Sequence, residues 1–402
     1  MNLRVGSQRL GLPARLAIVA GALGFAALAL GDGLDRAAVG RHDLIAMVPE
    51  AFRARSLDAA GAEAVKAGHY GEALKLGEEA VARAPMEASS TALLGLGRLM
   101  ARDEIGAQQA FLVAGTRGWR IPITQTYWMQ IAYQLGDYPV AAMRLDALLR
   151  QQPYQVRQNE LLAPFESNPE AGAALIERML TRPNWLGMYA RHVGNLAASQ
   201  IAGRRVMMEA LARRGMVLGC DQIGSLTGEL VRYGDVGGAR AVWGQHCPAA
   251  GRGLVADSAL DATVNSDAPS APFAWRLFGS GDLRVVPHRA LEGQGQWLEV
   301  SNDSPLIAPV MRQMVVAPAG RYRLSWLARD GQGKGSQAVE PYLGCDVNNL
   351  ERTEPGRDTG LGRWQADIEI DGKCAGHWLQ FTLKPGAEAV QLGAVTLTPL
   401  GH

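Results

Sequence analysis

Three alanines, Ala73, Ala107 and Ala141, stand 34 residues apart, and other positions keep the same interval. Gly61 and Gly95 are 34 apart, Pro85 and Pro153 twice that. Ala80, Ala114 and Leu148 run in the same register, with Phe111 and Leu145 four residues after their alanines. This recurrence constrains the chain more than any other feature. A sequence that repeats at such an interval builds one supersecondary unit several times and buries its apolar faces by stacking the copies. The surrounding stretch, from Ser56 to Pro248, is rich in Ala and Leu at helical spacing, with Gly-Asp or Pro at the turns. Gly68-His69-Tyr70-Gly71-Glu72-Ala73, Gly136-Asp137-Tyr138-Pro139-Val140-Ala141 and Gly234-Asp235-Val236-Gly237-Gly238-Ala239 share one pattern, a glycine turn followed by a helix start.

Small residues in this register let two helices approach to about 8–9 Å, a bulky residue wedges between neighbouring hairpins, and proline stops the second helix. The segment 56–154 resembles tetratricopeptide repeats, with two departures: Trp119 stands where the second repeat should close on proline, and Met129 takes the small position of the third. The resemblance implies helical hairpins and a concave groove that accepts a protein partner. In the third repeat the groove positions fall on Thr126, Gln130, Tyr133 and Gln134. Beyond Pro153 the register lapses, since Ala239 lies 98 residues after Ala141. Helical stretches are still expected at 171–181, 186–202, 204–215 and 221–246, broken at Arg182-Pro183-Asn184, Gly203, Gly219 and Gly234-Asp235. Cys220 would open the last antiparallel pair and Cys247 close it, so a 220–247 disulfide fits.

After Pro248 the texture changes to short alternating segments separated by Pro, Gly, Asn and Asp. WRLF, LRVVP, QWLEVS, MRQMVV, YRLSWLA, PYLGCDV, WQADIEI, HWLQFTL and AVTLTP read as the strands of a jelly-roll-like antiparallel β-sandwich. Alternation sorts their side chains. Leu379, Phe381 and Leu383 share the apolar face, which leaves Trp378 and Gln380 opposite. Leu298 and Val300 turn Trp297 and Glu299 outward, and Leu343, Cys345 and Val347 leave Tyr342 and Asp346 on the other side. Trp326 and Trp364 join apolar sets and belong to the core. If the outward sets share one sheet, Trp297, Tyr342 and Trp378 form a platform among Glu299, Asp346 and Gln380. Such a platform suits a sugar, whose CH face stacks on rings while its hydroxyls take hydrogen bonds. Cys345 and Cys374 fall on or beside strands that can be neighbours, which gives a second disulfide. The Pro318–Ser325 stretch and the closing Val395–Thr398 strand resemble carbohydrate-binding-module-like or galactose-binding-like sandwiches. That resemblance implies a fold that can bind a glycan or pack on a partner.

At the N-terminus, Arg4, Arg9 and Arg15 precede sixteen uncharged residues, Leu16 to Gly31, and Asp32 and Asp35 follow. The run is short against the roughly 20 residues that span a bilayer. Both a signal peptide and an uncleaved anchor fit; the anchor is the expected state, and either places residues 32–402 outside the cytoplasm. The expected organisation is a cytoplasmic tail (1–15), an anchor (16–31), a tetratricopeptide-like helical domain (32–253) and a sandwich (254–402), an α + β multidomain chain.

Lys and Arg total 40 against 39 Asp and Glu, so no basic excess serves a nucleic acid. No HExxH, GxxxxGK[ST] or GxSxG is present, and the cysteines and histidines lack close pairing, so neither cofactor nor metal is expected. Asp282, Glu299 and Asp346 are the acids a glycan hydrolase or lyase would draw on, but the sequence does not pair them. The whole arrangement resembles tetratricopeptide proteins that accompany bacterial exopolysaccharide synthesis and export. It implies a non-catalytic periplasmic scaffold on the inner membrane that holds polysaccharide-assembly proteins in its groove and a glycan on its sandwich. A protein-only adaptor or assembly chaperone is the alternative.

Overall fold

The computed structural model describes residues 12–248, 253–260, 271–289 and 296–401. Arg4 and Arg9 of the basic tail lie outside them. The chain forms two compact units, Met1–Gln152 and Pro153–His402. The change of texture after Pro248 therefore falls inside the second unit, which contains both helices and sheets.

The first unit opens with α1 (Leu12–Ala38), 27 residues or about 40 Å of helix. It is longer than the apolar run because its polar end is held: the Asp35 carboxylate accepts from the Arg55 and Ser56 amides at 2.8 and 3.0 Å and from the Ser56 hydroxyl at 2.6 Å. Those amides begin the next long helix, so Asp35 satisfies donors that a helix start leaves open. By length and composition α1 can cross a membrane, a property that a signal sequence shares.

The helix α2 (His42–Ile45) leads to three hairpins: α3 (Arg55–Lys66) with α4 (Tyr70–Arg83), α5 (Ala88–Met100) with α6 (Glu104–Arg117), and α7 (Pro122–Gln134) with α8 (Tyr138–Gln151). The 34-residue interval reappears in the starts of α4, α6 and α8. Ala73, Ala107 and Ala141 have no exposed surface. Small residues bring the backbones together: a Cβ on Gly97 of α5 would stand 2.7 Å from the Leu74 Cα of α4. The hairpin turns need a left-handed residue, supplied by Gly68 (φ 78°) and Gly136 (φ 76°). In the middle hairpin that position is Arg102, which adopts φ 64°. The Asp103 and Asp137 side chains then cap α6 and α8 by accepting from the Gly106 and Val140 amides at 2.9 and 3.3 Å. Where proline was expected to close the second repeat, the Trp119 carbonyl accepts from Gln125 and Gln151, and the Arg144 guanidinium lies 3.8 Å from the Trp119 ring.

The second unit holds α9 (Asn159–Ser167), α10 (Pro169–Met179), α11 (Leu186–Arg191), α12 (Ala198–Arg213), α13 (Cys220–Arg232) and α14 (Val236–His246). One expected break is misplaced. The chain is interrupted at 192–197, and Gly203 lies inside α12, where a Cβ would meet the Glu166 Cβ at 3.1 Å and its carbonyl oxygen at 3.2 Å. This glycine serves close helix approach rather than termination. Beside it Arg204 and Glu166 form a buried ion pair at 2.7 Å. The Cys220–Cys247 disulfide joins the ends of α13 and α14, with Cα atoms 4.7 Å apart.

Eleven strands follow among the described residues: β1 (Arg276–Leu277), β2 (Leu283–Arg289), β3 (Gln296–Asn302), β4 (Ala308–Val315), β5 (Gly320–Arg329), β6 (Val339–Asp346), β7 (Asn349–Arg352), β8 (Arg357–Asp358), β9 (Arg363–Ile370), β10 (His377–Leu383) and β11 (Ala387–Pro399). They pair antiparallel in two sheets, ordered β1-β4-β10-β6-β7 and β2-β3-β11-β5-β9-β8. Leu298, Val300, Leu324 and Trp326 of the six-stranded sheet share one buried core with Met311, Leu379, Phe381 and Leu383 of the five-stranded sheet. Phe381 packs against Trp326 and Trp275, with ring centroids 5.9 and 6.1 Å apart. Trp326 and Trp364 are buried as alternation requires. A Cys345–Cys374 disulfide, with Cα atoms 5.8 Å apart, ties the end of β6 to the loop before β10.

Candidate functional site

The single aromatic platform expected from alternation divides between two sheets. Each outward assignment follows its strand, but β3 and β10 belong to different layers. Trp297 and Glu299 lie on the outer face of the six-stranded sheet. There the Trp297 ring stacks on His288 at 4.4 Å, and Glu299 sits 3.6 Å from the His288 Nε2. Trp378, Gln380 and Tyr342 lie together on the outer face of the five-stranded sheet, since Gln380 pairs directly with Tyr342 and Trp378 with Gly344. Asp346 stands apart from them at the β6–β7 turn, where its Oδ1 accepts from the Asn348 amide at 2.9 Å. That is the local geometry of an Asx turn.

Register fills in the rest of this face. Arg276 of β1 lies opposite Arg312 of β4, Arg312 opposite Gln380, Gln380 opposite Tyr342, and Tyr342 opposite Arg352 of β7. Residues directly opposite share a face, so these five form one row across the sheet. Arg312 sits 5.1 Å from the Phe278 ring and 5.4 Å from the Trp378 ring, and its Nη1 reaches the Gln380 Oε1 at 3.5 Å. Burial, and then the neighbouring Arg276, pull the Arg312 guanidinium below its ordinary pKa. Arg352 is neutralised by Glu340 at 2.7 Å, and Lys384 reaches the same carboxylate at 3.0 Å. Trp378 also borders an apolar cleft of about 530 Å³, lined by Pro272 and by Val193 and Val231 of the helical part of the unit.

The sequence reading missed Arg276, Phe278 and Arg312. Alternation through Met311-Arg312-Gln313-Met314 does turn Arg312 outward, but its neighbours arrive from strands 36 and 68 residues away. A bulge between Phe381 and Thr382 further shifts the β4–β10 register.

A second cleft, about 930 Å³, opens among Asp346, Glu351, Asp367, Glu369 and Asp371. The hydrogen bond from Arg323 holds Asp367 below the usual carboxylate pKa, and the Lys373 side chain and amide do the same for Asp371. Buried His377 places its Nε2 3.3 Å from the Cys374 Sγ and 3.8 Å from the Asp371 Oδ1. Although His377, Cys345 and Cys374 stand within ligand range of one another, the two sulfurs are bonded to each other. The acids Asp282, Glu299 and Asp346 do not converge: Glu299 is on the outer face of one sheet, Asp346 ends a strand of the other, and Asp282 lies in the turn before β2.

In the first unit, Thr126, Gln130, Tyr133 and Gln134 follow one stripe of α7. Gln130 and Gln134 are exposed, the Thr126 hydroxyl donates to the Pro122 carbonyl at 3.1 Å, and Tyr133 makes an edge contact with Tyr138 at 5.3 Å.

No family model matches the chain, and no curated protein matches it. Among solved structures, it is similar to TmCBM61 in complex with β-1,4-galactotriose, at 16% identity over 37% of this chain and 100% of that one, with a TM-score of 0.26. It is also similar to the enzymatically active domain of tailspike protein 4 of bacteriophage CBA120, at 11% identity over 31% of this chain and 19% of that one, with a TM-score of 0.24. Neither score reaches the level of a shared fold.

Proposed function

We propose that this chain is a non-catalytic, membrane-tethered scaffold whose β-sandwich binds a glycan on the outer face of its five-stranded sheet. The observation that carries the reading is the grouping of Trp378, Gln380 and Tyr342 at adjacent positions on that face, with an apolar cleft beside Trp378. The rings offer stacking surfaces to the CH faces of a sugar, and the amide and phenol offer donors and acceptors to its hydroxyls.

In this reading α1 remains as an inner-membrane anchor, with the basic residues before it in the cytoplasm and both disulfides in the oxidising periplasm. The three hairpins act as tetratricopeptide-like units, and the α7 stripe receives polysaccharide-assembly proteins.

The test uses the full chain in detergent on a glycan array. Trp378→Ala should weaken binding at least about tenfold with helix and strand content unchanged, since the loss of one stacking ring is a large part of a sugar site. Unchanged binding in that variant refutes the site. Crosslinking in native membranes should recover polysaccharide-assembly proteins, with recovery reduced by Gln130→Ala/Gln134→Ala; capture of unrelated clients alone refutes the partner assignment.

A further inference from the structure

Arg276 and Arg312 are two cations placed directly opposite each other on neighbouring strands, with no carboxylate partner among the described residues. Like charges in that relation repel. Arg312 is also partly desolvated between Phe278 and Trp378, which deprives it of the water that would offset the repulsion. Ring faces return part of this cost through cation–π attraction, and they fix the guanidinium plane. What they do not supply is an anion. Beyond Trp378 the charge balance continues the same way. Arg191 and Arg232 border the adjoining cleft, and its one carboxylate among the described residues, Glu229, is held by Arg232.

We propose that the glycan taken by this face is a carboxylated one, a uronate-bearing polysaccharide whose carboxylates pair with Arg312 and Arg276 while its ring faces stack on Trp378 and Tyr342. This rests on the glycan-binding reading above and names its ligand class. Arginine suits the task because its planar fork meets a carboxylate with two parallel N–H donors. The geometry also suits a chain molecule: from Arg276 to Tyr342 the row crosses three strand intervals, about 14 Å, so cation, amide and ring are met in sequence along one line. An acidic peptide would satisfy the arginines but has no flat CH face for Trp378 and Tyr342.

The experiment measures binding of the full detergent-solubilised chain to polygalacturonate, to the same polymer fully methyl-esterified, to a neutral galactan and to poly-glutamate. The expected result is preference for polygalacturonate over its ester by roughly tenfold or more, weakening as salt rises. Arg312→Gln should abolish most of that preference, so that the acid and its ester bind alike. Trp378→Ala should weaken both polymers. Equal binding of acid and ester, or an unaltered preference in Arg312→Gln with its fold confirmed by circular dichroism, overturns the ligand class while the glycan-binding reading stands. Poly-glutamate bound as tightly as polygalacturonate overturns both, and so does failure to bind any of the three polysaccharides.

Discussion

Removing Arg204 should be among the most destabilising single changes in the second unit. Its guanidinium side chain is 1% exposed and the Glu166 side chain 4%. The Nε donates to Glu166 at 2.7 Å, and Nη1 donates to the carbonyls of Tyr189 and His192 at 2.6 and 3.3 Å. The charged plane also lies 3.9 Å from the Tyr189 ring, whose hydroxyl donates to the same carboxylate at 2.7 Å. Arg204→Met keeps much of the packing but leaves the buried Glu166 carboxylate without its cation and with one donor, and breaking such a pair costs about 3–5 kcal/mol. Glu166→Met strands the cation in the same way. With both replaced, the uncompensated charge disappears, and what remains is an unpaired Tyr189 hydroxyl and the Tyr189 and His192 carbonyls, at about 1–3 kcal/mol in all. The double variant should therefore lose less than the sum of the singles by at least about 2 kcal/mol. For a unit of this size each kcal/mol moves the midpoint by about 2–4 °C, so each single should lower Tm by roughly 6–20 °C. Thermal unfolding of the second unit is followed by circular dichroism and tryptophan emission, to which Trp185, 6.0 Å from Tyr189, contributes. Additive singles, or singles each costing under about 1 kcal/mol, would refute the reasoning.

Three further outcomes follow from the packing. Arg102→Gly should stabilise the first unit by about 1 kcal/mol, because glycine carries no Cβ penalty at φ 64°; an unchanged or lower urea midpoint contradicts this. Each disulfide closes a loop of 27 or 29 residues, so Cys220→Ser/Cys247→Ser and Cys345→Ser/Cys374→Ser should each cost about 3.5 kcal/mol, read as the shift in urea midpoint; indifference to reductant in the parent chain would argue against both. Burial lowers the His246 pKa below its ordinary 6.5, so the unfolded chain binds the extra proton first. Its stabilising contribution is present above pH 6.5 and is lost as pH falls from that value through the lowered pKa of the folded state, and His246→Phe should flatten this part of the stability–pH curve. A curve unchanged by that substitution removes His246 as the cause.

Much of the architecture was legible because it depends on local periodicity. The 34-residue interval reappears as the starts of α4, α6 and α8, and every segment read as a strand is one. The short strands β7 and β8 went unread, since four and two residues carry no pattern. Gly203 was misread because a glycine that ends a helix and one that admits a neighbouring helix look alike until the neighbour is known. Within the site, alternation turned Trp297, Tyr342 and Trp378 outward but could not say which sheet each would join.

The sequence by itself determined the repeating hairpins, the passage from helix to strand and the direction faced by Trp297, Trp326, Trp364 and Trp378, all of which follow from spacing along the chain. Tertiary structure alone decided that Trp297 and Trp378 occupy different layers, that Arg276 and Arg312 meet beside Trp378, and that Arg204 is buried against Glu166. The physical reason is strand order and helix approach. Both are set by how apolar faces across distant segments share one core, and no local pattern records which segments those will be.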